Sequence, residues 1–396
     1  MRRLVPALFA LLACSNNGLP TTPGDNFDRS ALLASLEAQV IQPAHQQFLT
    51  EAQALEAAAL AWEQTTQTGD GAAARSNAQV AWRNAMRAWQ AVELLQVGPV
   101  GRDGVTTGGQ GLRDEIYSWP TVNPCRVDQE LVVSDYQRAD YPSGELINVY
   151  GLAALEYLLF QDATDNACAP QLEINQGPWA ALLAEPNALA KRRAAYGAVL
   201  ARDVTQKAQR IVDLWAGEAG FGRQLARAGQ EGSPFRTAQA AIDEVFAAMF
   251  YLDLETKDRK IATPAGLSTN CPNPTCPEAL ESPWSKGAKD NLLANLQMFE
   301  RLYLGNSPDL AAAPGFDDFL IARGAPELAA QIQVDTTMAL ARVRALPGTM
   351  DQALTEDRNQ VVEAYEAVKK VTDDLKAQFV TVLNLRVPDE GAGDND

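Results

Sequence analysis

Glu156 lies in the stretch GLAALEYLLF (151–160), where the other nine residues are apolar or small. On a helix its same-face neighbours, three and four positions away, are Leu152, Ala153, Leu159 and Phe160. All four are apolar, so this carboxylate is expected to point into the interior. A charge there must be paired, hydrogen-bonded, metal-bound or protonated, because an isolated buried charge is very costly. Glu93 is placed similarly, on a face with Trp82, Met86 and Trp89 at steps of three and four. Two such carboxylates in one bundle could bind a hard cation through oxygen ligands or receive a cationic group. The competing reading pairs them with Arg83, Arg87 or Arg113, or has them cap a neighbouring helix.

Other chemistries are excluded by what is missing. His45 is the only histidine in the chain, which rules out zinc sites that need two histidines from one chain. A Ser-His-Asp triad would have to use His45, and no G-x-S-x-G elbow is present to partner it. The simpler reading of His45 is a packed or surface residue, and the alternative makes it a third ligand beside Glu156 and Glu93. The glycine-rich loop GRDGVTTGGQG (101–111) is not followed by Gly-Lys-Ser/Thr and has no phosphate-binding signature. No G-x-G-x-x-G follows a strand, so dinucleotide binding has no support.

At 396 residues and 46% apolar, the chain is long enough for two or three domains with real cores. A net charge of -17 argues against nucleic acid, which needs a basic footprint, and is read as solubility. The opening MRRLVPALFALLAC has two arginines, an apolar run too short to span a bilayer, and a small residue before Cys14. LLAC resembles a bacterial lipobox, so residues 1–14 are expected to be a signal ending at a lipidated Cys14; cleavage further along by ordinary signal peptidase is the alternative. Ser15, rather than Asp, points to the outer membrane. Residues 15–30 then form a polar tether reaching on the order of 20 Å. Cys125, Cys168, Cys271 and Cys276 remain, an even number that reads as two disulfides in an exported protein. Of three connectivities, the short loop CPNPTC favours Cys271–Cys276 and leaves Cys125–Cys168.

The elements that must hold these residues are helical nearly throughout. Apolar residues recur at helical spacing over 30–68 (interrupted by Pro43) and 72–97, with shorter helices near 112–118 and 126–136 and one at 143–161. Further helices are expected at 176–187, 189–216, 235–254, 284–304, 315–322, 325–346 and 350–384. The glycine-rich break at 217–234 divides the chain into a first antiparallel helical bundle at 31–220 and a second at 221–386. Each is of four-helix type, giving an all-α fold. Residues 387–396 end as an acidic tail expected to be disordered. The alternating charges of DLETKDRKIATPAG (253–266) read as a solvated face.

Five landmarks occur in series: WRNAMRAWQAVELLQVGPV, IYSWP (116–120), GLAALEYLLF, LETKDRKIATPAG and ESPWSKGAKDNLLANLQMFERLYLG (281–305). Together they resemble the imelysin family, called peptidase M75, over about residues 35–385. The resemblance implies an exported bacterial protein, often a lipoprotein, built of two helical bundles and associated with iron-regulated uptake. The family signature G-x-H-x-x-E falls on Gly151 and Glu156, with Ala153 at the histidine position. A His and Glu three apart on a helix can share a metal; here Glu156 would be the surviving half of such a site. A metalloprotease needs about three protein ligands and a general base, and this chain lacks even the His-Glu pair.

The expectation is therefore an outer-membrane-anchored, non-enzymatic binding lipoprotein acting in acquisition of iron or another metal. Glu156, Glu93 and His45 are its candidate ligand or metal residues. The alternatives are a metallopeptidase with an atypical site and an adaptor whose partner is another envelope protein.

Overall fold

The computed structural model describes residues 26–306 and 313–388. The expected signal with Cys14, the tether up to residue 25 and the acidic tail from 389 lie outside the described residues. Among those described, all regular structure is helical. The first helix, α1 (Arg29–Ser35), is capped by the Asp28 carboxylate, which accepts from the Ala31 N–H at 2.9 Å. It passes through a π-helical stretch (Leu36–Ile41) into α2 (Gln42–Thr68), so the run continues across Pro43, which falls in the first turn of α2. After a three-residue turn comes α3 (Ala72–Leu94), followed by α4 (Leu112–Ile116), α5 (Pro124–Val133) and α6 (Gly151–Phe160). Then come α7 (Pro178–Ala184), α8 (Ala188–Trp215), α9 (Phe221–Ala226) and α10 (Ala238–Met249), and a second π-helical segment over Leu252–Ala262. The last part holds α11 (Ala288–Leu304), α12 (Phe316–Ala322), α13 (Pro326–Ala345), α14 (Met350–Glu356) and α15 (Arg358–Asp374). A third π-helical stretch (Leu375–Phe379) and α16 (Val380–Leu383) end it.

Two helical groups result. In one, α2 packs on α3 and α8, and α6 lies against α8 and α3; in the other, α13 packs on α11, α12 and α15, and α15 lies on the second π-helical segment. The groups are joined where α3 meets α11 and where α1 reaches across to α9 and α10. One hydrophobic cluster runs from Leu32 to Leu385 through both.

Three local expectations are corrected. The helix expected at 143–161 begins only at Gly151, whose φ of 76° cannot continue a helix from upstream. A Cβ on that glycine would stand 2.5 Å from the Ile116 carbonyl oxygen, so α6 starts where only glycine fits. The glycine-rich break is less open than expected, since α9 forms inside it and buries Phe221 and Leu225. The alternating-charge stretch is no solvated face: it is the second π-helical segment, with Asp253, Lys257 and Lys260 all buried. A run of eleven residues is long for this rare helix type.

Both disulfides join the expected cysteines, Cys125–Cys168 across 43 residues and Cys271–Cys276 across 5. Loop-closure entropy makes the longer one the stronger constraint. Replacing Cys125 and Cys168 by Ala should cost about 4 kcal/mol, and replacing Cys271 and Cys276 about 2 kcal/mol, in the chain-entropy account. Urea unfolding of the two double variants checks the order; equal losses would show that native contacts, not loop length, set the effect.

Candidate functional site

The five landmark stretches, spread over more than two hundred residues, converge on one buried polar network. From α3 come Gln90 and Glu93, both fully buried. From α4 and the loop after it come Arg113, Tyr117 and Trp119. The second π-helical segment and its leading residue supply Lys260 and Tyr251, and the loop before α11 supplies Glu281 and Ser285, with Asn295 from α11 itself.

Glu93 is held by the guanidinium of Arg113, whose Nε and Nη2 donate to Oε1 at 3.0 and 2.6 Å. Its other oxygen lies 3.5 Å from the Lys260 ammonium, an ionic contact outside hydrogen-bond geometry. Burial pushes Glu93 up, but Lys260 and Arg113 outweigh it and hold the carboxyl below its usual range. Lys260 Nζ donates to Gln90 Oε1 at 2.5 Å and Asn295 Oδ1 at 3.0 Å, and pairs with Glu281 Oε1 at 3.1 Å. Glu281 Oε1 also accepts from Gln90 Nε2 at 3.1 Å and from the Tyr117 hydroxyl at 3.0 Å. Burial raises the Glu281 carboxyl above its ordinary value despite Lys260. Burial, then the charges of Glu281, Glu93 and Glu156, pushes the Tyr117 phenol far up, so it serves as a donor.

Glu156 stands at the edge of this network. Its Oε1 accepts from the Ser285 backbone N–H at 2.8 Å. Burial pushes its pKa to about 7, with Glu281 adding to the rise and Ser285 opposing it. Helix α6 is fixed against α3 by the Trp82 indole, which donates to the Leu152 carbonyl at 3.0 Å. The Ser285 loop is held by Arg83, whose Nη2 donates to the Ser285 carbonyl at 3.3 Å and whose guanidinium covers Phe160.

Glu156 and Glu93 thus lie in one buried region, and for Glu93 the competing reading holds: of Arg83, Arg87 and Arg113, it is Arg113 that pairs with it. His45 is placed elsewhere, edge-on to Trp215 at 4.9 Å, with neither ring nitrogen hydrogen-bonded. Burial alone lowers its pKa to about 3, so it stays neutral. Lys260, Glu281, Gln90 and Asn295 went unread; the signal for Lys260 was the apolar flank of Leu252, Ile261 and Ala262, which the alternating charges masked. Among the described residues no three His, Cys, Asp or Glu side chains converge in a way that could hold a metal. Glu93 is committed to Arg113 and Lys260, Glu281 to Lys260, Gln90 and Tyr117, and Glu156 to Ser285. The donor set as it stands does not fit a resident metal.

Beside the network opens a cleft of about 670 Å³, within the usual size of ligand sites. Tyr251 is part of its wall, and the same ring lies 5.2 Å from Lys260 Nζ, so one aromatic side chain separates cleft from network. Arg102, Arg236 and Arg386 also line it. Three carboxylates share the walls: Glu244 accepts from the Thr107 N–H at 2.7 Å, Glu255 pairs with Arg259 at 2.9 Å, and Asp243 accepts from the Arg386 N–H at 3.4 Å.

The family model described as Imelysin, Peptidase_M75, matches residues 41–378. Two solved structures are similar in fold. One, described as an iron-regulated protein A precursor from Parabacteroides distasonis, superposes with a TM-score of 0.67 at 17% identity, covering 91% of this chain and 97% of the other. The second, described as an imelysin-like protein from Psychrobacter arcticum, gives 0.61 at 16% identity, covering 92% and 98%. No curated protein matches the chain.

Because the native Glu156 carboxyl holds its proton up to about pH 7 while the unfolded one loses it near 4.5, the folded state binds more protons between those values. Stability from this group is therefore lost as pH rises through that window. Glu156→Gln should flatten this decline, leaving the variant about 3 kcal/mol better off relative to wild type above pH 7 than below pH 4.5. Urea midpoints at pH 4.5, 6 and 8 give the answer; parallel curves would show that Glu156 titrates normally.

Proposed function

Because the chain belongs to the imelysin family, we propose that it is an exported, lipid-anchored binding protein without catalytic activity, serving acquisition of iron or another metal at the outer membrane. The observation that carries the non-catalytic reading is the fate of Glu156. At the signature position it ends on the Ser285 N–H, with Ala153 where an imidazole would stand. A hydrolase needs a general base free to take a proton from water and a group to stabilise the oxyanion. Here the buried carboxylates are spent on the chain's own cations and N–H donors, and the one histidine is a neutral core residue.

The link to iron is supported by the description of the Parabacteroides distasonis protein as iron-regulated, and the anchor by the LLAC sequence before Ser15. The cargo would enter the cleft rather than the buried network. Arg102, Arg236 and Arg386 share its walls with Asp243, Glu244 and Glu255, so the cleft offers both signs of charge to a metal presented as an organic chelate.

Equilibrium dialysis of residues 16–396 against ferric citrate should give retention of the chelate, and Ala240→Trp, which fills the cleft, should abolish it. If neither protein retains the chelate, the small-ligand reading fails and the envelope-adaptor alternative gains. Incubation with unfolded casein should yield no cleavage, with or without added zinc; cleavage that a chelator stops would establish the peptidase instead. In the full-length chain, Cys14→Ser should lose fatty-acid labelling and leave the membrane fraction.

A further inference from the structure

The surroundings of Lys260 are those of a metal ion rather than of an ordinary ion pair. Lysine ammoniums usually remain at the surface with their stems buried, whereas this one is 1% exposed. Its Nζ is enclosed by oxygens from three separate elements: Gln90 Oε1 at 2.5 Å and Glu93 Oε2 at 3.5 Å from α3, Asn295 Oδ1 at 3.0 Å from α11, and Glu281 Oε1 at 3.1 Å from the loop before it. Two carboxylates and two amide carbonyls are the ligand types that hard cations such as calcium and manganese take.

The hydrogen-bond count points the same way. An ammonium has three N–H groups, and Gln90, Asn295 and Glu281 take them at the distances above. Glu93 Oε2 and Glu281 Oε2 take nothing from the ammonium within hydrogen-bond geometry and have only the Tyr251 hydroxyl and the Asn291 side chain as weaker donors. A lysine supplies fewer donors than this cage has acceptors. A calcium ion takes about six to eight oxygens, more than the three an ammonium can serve.

We infer that Lys260 is the resident cation of an oxygen cage, and that the cage takes a hard divalent or trivalent metal ion once the ammonium is withdrawn. In the wild-type chain the positive charge at the junction of the two helical groups is therefore covalently supplied. Added metal does not enter there, and a chelator has nothing to remove. This inference concerns the buried network alone and is independent of whether the cleft binds a chelate.

The test is Lys260→Ala in residues 16–396, probed with calcium and with terbium(III). The Tyr251 and Trp119 ring centres lie 5.2 and 5.9 Å from Nζ, so terbium held in its place would be excited through them and emit. Calcium should raise the melting temperature of Lys260→Ala by about 5 °C at roughly a hundred times its dissociation constant. Terbium should show saturable sensitised emission absent from wild type, with affinity on the order of 10⁻⁵ M. Adding Glu281→Gln should weaken both responses, and neither calcium nor a chelator should shift wild type. A variant that folds only in the presence of calcium would also support the cage. One that folds with no calcium response and no emission beyond wild type, or fails to fold whatever cation is present, overturns it.

Discussion

A charge removed from water must be answered by charges and hydrogen bonds that arrive from elsewhere in the chain. Lys260 imposes that constraint here. Its ammonium is answered by α3, α11 and the loop between them and the π-helical segment, and Glu93 hands the connection on to Arg113. Each of these elements is locked in position by needing to present one atom at one place. Buried ionic groups contribute little net stability compared with well-packed apolar ones. What the network contributes here is placement, fixing which faces of the two helical groups meet.

Much of this was legible in the sequence, and what was not has physical causes. The helices could be read because apolar residues repeat every three or four positions from Leu32 to Val380, and the ends of α3, α8 and α13 fall within a few residues of the expected ones. Glu156 and Glu93 were readable as buried because a carboxylate among apolar same-face neighbours has only one place to go. Lys260 was not, because its segment is π-helical and the usual spacing no longer tells which residues share a face. Glu281 and Ser285 lie in an irregular loop where no periodicity exists to be read; Ser282 and Lys286 within it both take positive φ. The start of α6 was misplaced because a left-handed glycine cannot be told from a helical one by type alone.

The same residues are what the proposed non-catalytic role rests on. A catalytic centre keeps some group unsatisfied until substrate arrives. In this network the reachable donors and acceptors have already found one another, and the oxygens left over are sealed from solvent. The polar groups that face outward lie instead on the far side of Tyr251, in the cleft walled by arginines and carboxylates.

The single hydrophobic cluster that runs through both helical groups bears on how the molecule can move. Two-lobed binding proteins commonly close like jaws about a hinge, which requires an interface that can part and re-form. Here α1 straps the second group while its continuation α2 belongs to the first, and the buried ions lie on the seam. Opening that seam would expose charges and core together, so parting the halves carries a high cost. On the proposed binding role, a ligand would come and go by side-chain and loop motion at the cleft, on timescales far shorter than domain rotation.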